Sequence, residues 1–373
     1  MTEAGDAVRR LVLGAARFSG LGPLLRRHTG GIGAILSLRS VTATPPAGIG
    51  VNRRHTISPA YLDAAIAEMK GLGYRFVPLG DALERLKVGR KLPRFATITA
   101  DIGYRDLLSE ALPVLERHEA PLTLYVSPGL AGGGSDLWWE TLDEIVAASP
   151  EVYLTTPEGR VPVDCSTPQR KIAGYRAVRD YLAEETAEEQ RQQMLRDLAY
   201  LAGVDPARAG RERLMGWDEL REIAAHPLVA IGAHTVGYLN LRRLPDDKAW
   251  YEIVDAPRII EMELGVKPRH MAFPYGDEAA VGPREVEFAR AAGYLSAVTA
   301  GQGVLQPAHA RNPHALPRLL LDGRRQSAAH LRAALSGGAT SSYAANAPVQ
   351  PAWSNSRKSA KRFSVQNCVK TKR

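Results

Sequence analysis

From about residue 33 the chain alternates short apolar runs with longer amphipathic segments, and this alternation limits the fold more than any other feature. The runs at 33–41, 74–78, 95–99, 122–126, 228–232, 271–273 and 295–298 read as strands. Segments 58–72, 80–86, 107–119, 137–148, 217–225, 248–264 and 284–292 read as helices, the first with Ser58 as N-cap and Pro59 at its first helical position. Strands separated by helices of this length are βα units, which predicts an α/β protein with a largely parallel sheet, either closed into a barrel or open and doubly wound. A stretch at 167–203 is polar and mostly helical, with Ile172, Tyr175, Val178, Tyr181 and Leu182 on one face, and reads as an outer excursion. At 373 residues and 45% hydrophobic content the chain can bury one large core.

The net charge of +8 is unevenly distributed. Residues 323–373 hold ten basic residues and no acidic one, and subtracting these ten leaves −2 for residues 1–322. The expected folded part is therefore close to neutral, which removes specific nucleic-acid binding as a reading and leaves the tail, with Arg357, Lys358, Lys361 and Arg362, a weak contact with anionic surfaces. From Ser336 onward the composition predicts a disordered basic tail, and residues 1–30, with Val8, Leu11, Leu13 and Phe18 among five arginines, an amphipathic helical segment. Cys165 and Cys368 are the only cysteines and give neither a disulfide framework nor a metal-binding spacing. No apolar run reaches bilayer-spanning length and no signal-type apolar core follows the first arginines, so a cytoplasmic location is expected.

Three motifs carry the chemistry. Thr99-Ala100-Asp101-Ile102-Gly103-Tyr104 closes one strand, Gly232-Ala233-His234-Thr235-Val236-Gly237-Tyr238 follows another, and Ala272-Phe273-Pro274-Tyr275-Gly276 follows a third. In this order they resemble the polysaccharide deacetylases of the NodB homology type, carbohydrate esterase family 4. There, Thr-Phe-Asp-Asp-Gly, His-Ser/Thr-x-x-His and a Pro-x-Gly motif stand on successive strand ends. The resemblance runs from about residue 33 to about 335, taking in Leu214 to Asp218 and Ala315 to Arg318. It implies a deformed (β/α) barrel over residues 31–335, with the site at the carboxyl ends of the strands.

The resemblance also implies a divalent metal, zinc, that lowers the pKa of bound water to about 7 for removal of acetyl groups from N-acetylated oligo- or polysaccharides. Carried over position by position, Asp101 falls at the general base and His234 at a retained metal ligand, while Ile102 and Tyr238 replace the other two ligands. Pro274, Tyr275, Gly276 and Trp217 fall at substrate-binding positions. An Ile side chain has no donor atom and a phenol of pKa near 10 is a poor ligand at pH 7, so the expectation is a family member with impaired or lost hydrolysis. The alternatives are a non-catalytic carbohydrate-binding relative, or a hydrolase whose metal site is rebuilt from Asp101, His234 and either Tyr238 or one of Asp106, Asp218 and Asp277. Arg39 and Ser40 end the first strand where relatives often carry His, and no Arg precedes Pro274 to orient Asp101. Trp138 and Trp139 read as core, with stacking on sugar rings as their functional alternative.

Overall fold

The computed structural model describes residues 30–337 apart from 46–47, 134–135 and 158. The expected helical segment at 1–30 and basic tail at 336–373 lie outside these, save for residues 30 and 336–337.

Seven parallel strands form a closed ring: β1 (Gly33–Leu38), β2 (Phe95–Asp101), β3 (Leu122–Val126), β4 (Val229–Ala233), β5 (His270–Ala272), β6 (Ser296–Gln302) and β7 (Leu316–Leu320). Each pairs with its neighbours in chain order, and the ring closes where β1 meets both β2 (Gly33 opposite Phe95) and β7 (Ser37 opposite Leu320). Of the two parallel architectures, the chain therefore adopts the barrel. It is deformed where β5 is three residues long, meeting β4 through the single pair Met271–Ala233, and where the β6–β7 register shifts between Val298 and Gln302. β1 and β2 are buried along their whole length, because the barrel interior covers one face and helices the other, so neither carries the charged residues at every second position that a half-exposed strand would show. The tyrosine ring of Tyr125 fills part of the interior, and Gly232 makes room for it: a Cβ there would stand 2.4 Å from the ring.

Helices α1 (Pro59–Gly71) and α2 (Leu79–Val88) pack outside the barrel. The Ser58 hydroxyl accepts the Tyr61 N–H at 3.1 Å, and Tyr61, Leu62, Ala65, Ile66 and Met69 form the buried stripe of α1. The helix expected over 107–119 begins as a wide turn, Leu107–Ala111, before a short regular helix, Leu112–Arg117. After α3 (Trp138–Ala148) the excursion opens with an antiparallel hairpin, Glu151–Thr156 with Gly159–Asp164, and continues as α4 (Pro168–Asp180) and α5 (Glu188–Ala202). A buried ion pair, Arg191 with Glu188 at 2.7 Å, anchors it, and the Arg191 guanidinium lies 5.1 Å over the Trp138 ring. The remaining longer helices are α6 (Trp217–Ala224), α7 (Asp246–Leu264), α8 (Pro283–Ala291) and α9 (Ala328–Leu335). Among the described residues no helix is long and apolar enough to cross a membrane.

Candidate functional site at the strand ends

The closed barrel brings Asp101, Ile102, His234, Tyr238 and Tyr275 to one rim, although they are up to 174 positions apart in sequence. Asp101 is the last residue of β2 and His234 the first after β4. Four non-glycine residues at this rim have left-handed backbone: Ile102 (φ 80°), Thr235 (55°), Tyr238 (56°) and Tyr275 (60°). Such conformations cost about 1–3 kcal/mol each and gather where a site holds the chain in special turns; Ile102 and Thr235, both branched at Cβ, are the most strained of the four. Gly276 (φ 70°) completes the third turn, where an added Cβ would meet the Ala300 nitrogen at 2.6 Å.

Asp101 is buried and both of its carboxylate oxygens are taken. The Arg318 guanidinium, also buried, donates Nη1 to Oδ1 at 2.7 Å and Nη2 to Oδ2 at 3.0 Å. Arg318 is itself fixed by donating Nε to the Thr299 carbonyl at 3.0 Å. Burial works to raise the Asp101 pKa, but the charge and hydrogen bonds of Arg318, with the charge of Arg39, outweigh it and hold the carboxyl below its ordinary range. Arg318 thus supplies from β7 the arginine that the sequence around Pro274 lacks. The Ala315-Leu316-Pro317-Arg318 segment was its one signal, a charge inside an apolar run.

His234 donates Nδ1–H to the Ala272 carbonyl at 2.7 Å, which fixes the tautomer because a carbonyl only accepts. Its Nε2 is buried with no hydrogen-bond partner. Burial lowers the imidazole pKa to about 4, so His234 is neutral at pH 7. Its ring meets that of Tyr238 edge-on at 4.7 Å, and Tyr238 in turn contacts Trp139 and Tyr275, each at 5.3 Å. Burial raises the Tyr238 pKa, keeping the phenol protonated, and its hydroxyl accepts from Arg39 Nη2 at 3.1 Å. Ile102 is buried and its amide donates to the Tyr125 carbonyl at 2.9 Å.

One imidazole nitrogen is therefore the sole open donor at the three positions that the resemblance matches to metal ligands. Of the other carboxylates that could rebuild a site, Asp106 accepts from Ser40 Oγ and the Val41 amide and Asp218 is fully exposed beside Arg221, while Asp277 lines the same cavity as Asp101 and caps the Ala279 amide. Among the described residues no three His, Cys, Asp or Glu side chains are grouped so as to hold a metal ion. The charge that surrounds Asp101 is guanidinium instead, from Arg39 and Arg318.

A cavity of about 290 Å³ opens over this rim. Asp101, Tyr238, Phe273, Tyr275 and Arg318 line it together with Arg39, Arg54 and His55, which the motifs did not single out as site residues. Of the expected substrate-binding positions, Tyr275 lines it, whereas Pro274, Gly276 and Trp217 do not, Trp217 standing at the start of α6. Trp138 and Trp139 are core. Their indole N–H groups donate to the hydroxyls of Tyr275 (3.0 Å) and Tyr104 (3.4 Å), so they support the cavity wall from behind.

Comparisons with known proteins agree with this architecture. The family model described as polysaccharide deacetylase matches residues 89–295, more than half of the chain. A polysaccharide deacetylase from Bacillus cereus is similar in structure at 13% identity, with a TM-score of 0.50 over 81% of this chain and 68% of that one. The deacetylase PplD of Streptococcus pyogenes, solved with acetate, shares 15% identity, covering 78% of this chain and 92% of its own at a TM-score of 0.49. IcaB from Ammonifex degensii shares 15%, covering 83% and 98% at 0.49. No curated protein matches the sequence.

Proposed function

The chain belongs to the polysaccharide deacetylase family, which in general acts on N-acetylated polysaccharides with a bound metal, and from that premise we propose that this member has lost metal-dependent hydrolysis and keeps its strand-end cavity for binding saccharide. The observation that carries the reading is the donor set itself: of the three positions matched to metal ligands, only His234 offers an open donor atom, and no three His, Cys, Asp or Glu side chains group there among the described residues. The residues present do not fit zinc: Ile102 offers no donor, the Tyr238 phenol is protonated and engaged by Arg39, and Arg39 puts a positive charge next to His234 and Asp101. A carboxylate held below its usual range is also a weak base for drawing a proton from water. In this reading residues 31–335 form the family domain, with the basic tail outside it.

Purified full-length protein should contain substoichiometric zinc, release no acetate from N-acetylglucosamine oligomers, and bind those oligomers equally with and without chelator. Stoichiometric zinc together with acetate release would overturn the reading. The free Nε2 of His234 favours one alternative, a hydrolase with a rebuilt metal centre. Metal titration of Tyr238→Phe and Asp101→Asn variants separates the two, since a rebuilt centre loses affinity in both.

A further inference from the structure

We propose that the strand-end cavity is a subsite for an acidic sugar, the guanidinium of Arg39 receiving the sugar's carboxylate. The inference rests on reading the cavity as a saccharide site and names the chemistry of its ligand.

The arginines near the rim differ in how they are used. Arg318 is held by Asp101, Arg213 by Glu140, Arg105 by Glu219, and Arg54 lies 3.7 Å from Asp322. Arg39 forms no ion pair among the described residues; its one hydrogen bond there goes to the Tyr238 hydroxyl, and its guanidinium stacks 5.1 Å from the Trp139 ring centre. A guanidinium carries five N–H donors in a planar fork, so an edge of Arg39 remains available in a geometry that suits a carboxylate. None of the nearby carboxylates pairs with it: Asp101 is committed to Arg318, Glu140 to Arg213 and Tyr104, and Asp277, which also lines the cavity, accepts from the Ala279 amide and forms no ion pair with Arg39. Taking a guanidinium out of water without a counter-ion carries a desolvation cost that stacking on a ring offsets only in part, and a ligand anion would relieve the rest.

Arg39 borders both the 290 Å³ cavity and a neighbouring one of about 270 Å³, and His55 stands with it on both. Burial and the charges of Arg39 and Arg54 push His55 down to about 3, so at neutral pH it is an uncharged hydrogen-bonding group. The other walls suit a sugar ring more than a bare ion. Tyr238, Phe273 and Tyr275 offer aromatic surface, while Ser37 and Gln302 offer polar atoms to hydroxyls. The volume is near the lower end of the range for small-ligand pockets, roughly 300 Å³, which suits a single ring.

The test is calorimetric titration of the full chain with D-glucuronate, D-glucuronamide, N-acetylglucosamine and inorganic phosphate. Glucuronate should bind at least tenfold more tightly than its uncharged amide, and more weakly as salt is raised. Arg39→Gln should lose tenfold or more of that affinity and Arg39→Lys less. Equal binding of glucuronate and glucuronamide, or no measurable glucuronate binding, refutes the proposal, as does phosphate binding as well as glucuronate, which would mark a general anion site. If Arg39→Gln fails to fold, the comparison of acid with amide on the unaltered protein still decides. Zinc content and acetate release, measured on the same preparation, test the loss of hydrolysis separately. Protein that hydrolyses yet prefers glucuronate leaves this inference standing; protein that binds N-acetylglucosamine oligomers and ignores glucuronate removes this inference alone.

Discussion

Replacing Arg318 by Met isolates what the guanidinium does for Asp101. Met fills much of the same volume but leaves a buried carboxylate with no cation across from it. Breaking a buried pair in this way costs about 3–5 kcal/mol. The structure sets a ceiling, because Asp101 can escape its charge by binding a proton. Keeping a carboxyl of ordinary pKa 3.8 neutral at pH 7 costs about 4 kcal/mol, at about 1.4 kcal/mol per pH unit. The sign follows from the depressed pKa of the native pair: its stabilisation is fully present above the unfolded value of 3.8 and is lost as pH falls through the lower folded value. In Arg318→Met the proton stays on, so the deficit relative to the unaltered protein should be about 3–4 kcal/mol at pH 7 and shrink by about 2–3 kcal/mol by pH 4.5. Urea unfolding of both proteins at the two pH values measures this. The double variant Asp101→Asn with Arg318→Met, which removes both charges, should recover most of the loss. A deficit under about 1 kcal/mol at pH 7, or one independent of pH, would refute the argument.

The same geometry gives four further expectations. His234 should stay neutral in NMR titrations from pH 7 to 5; since an unfolded histidine protonates near 6.5, the native protein should lose on the order of 3 kcal/mol relative to His234→Asn as pH falls from 6.5 to 4. Gly276→Ala combines left-handed backbone with a Cβ 2.6 Å from the Ala300 nitrogen, and should lower stability by about 2 kcal/mol or more in thermal unfolding. Arg191→Met strips the nearer of two cations from Glu188, which is fully buried and accepts the Asn240 amide, leaving Arg243 at 3.9 Å, and should cost about 3 kcal/mol in chemical unfolding. Ile102→Asp with Tyr238→His restores donors at both substituted ligand positions, and metal analysis should then find zinc where the parent protein retains little.

The barrel was legible in the sequence for a physical reason. Strands covered on both faces must be apolar throughout, and helices covered on one face must repeat every three or four residues, so 33–41, 95–99 and 58–72 announced themselves. β7 did not. Leu316-Pro317-Arg318-Leu319-Leu320 places a proline and a charge in a central strand, and local pattern counts both against one. The charge is tolerable only because Asp101, 217 positions away, arrives beside it once the ring closes. The hairpin at 151–164 escaped for a different reason: its first strand alternates with buried Val152 and Leu154, but its second is nearly all exposed and carries no period.

The substituted motif follows the same logic. Ile102 holds a left-handed turn that an Asp or Gly would adopt at lower cost, and Thr235 and Tyr238 hold left-handed turns beside it. Two guanidinium groups stand beside Asp101 and Tyr238, one spent on a protein carboxylate and the other with donors to spare. A guanidinium cannot activate water as a metal ion does, but it recognises a carboxylate at two points. If the proposed loss of the metal holds, the cavity keeps its aromatic wall and gains in Arg39 a group suited to an acidic ligand.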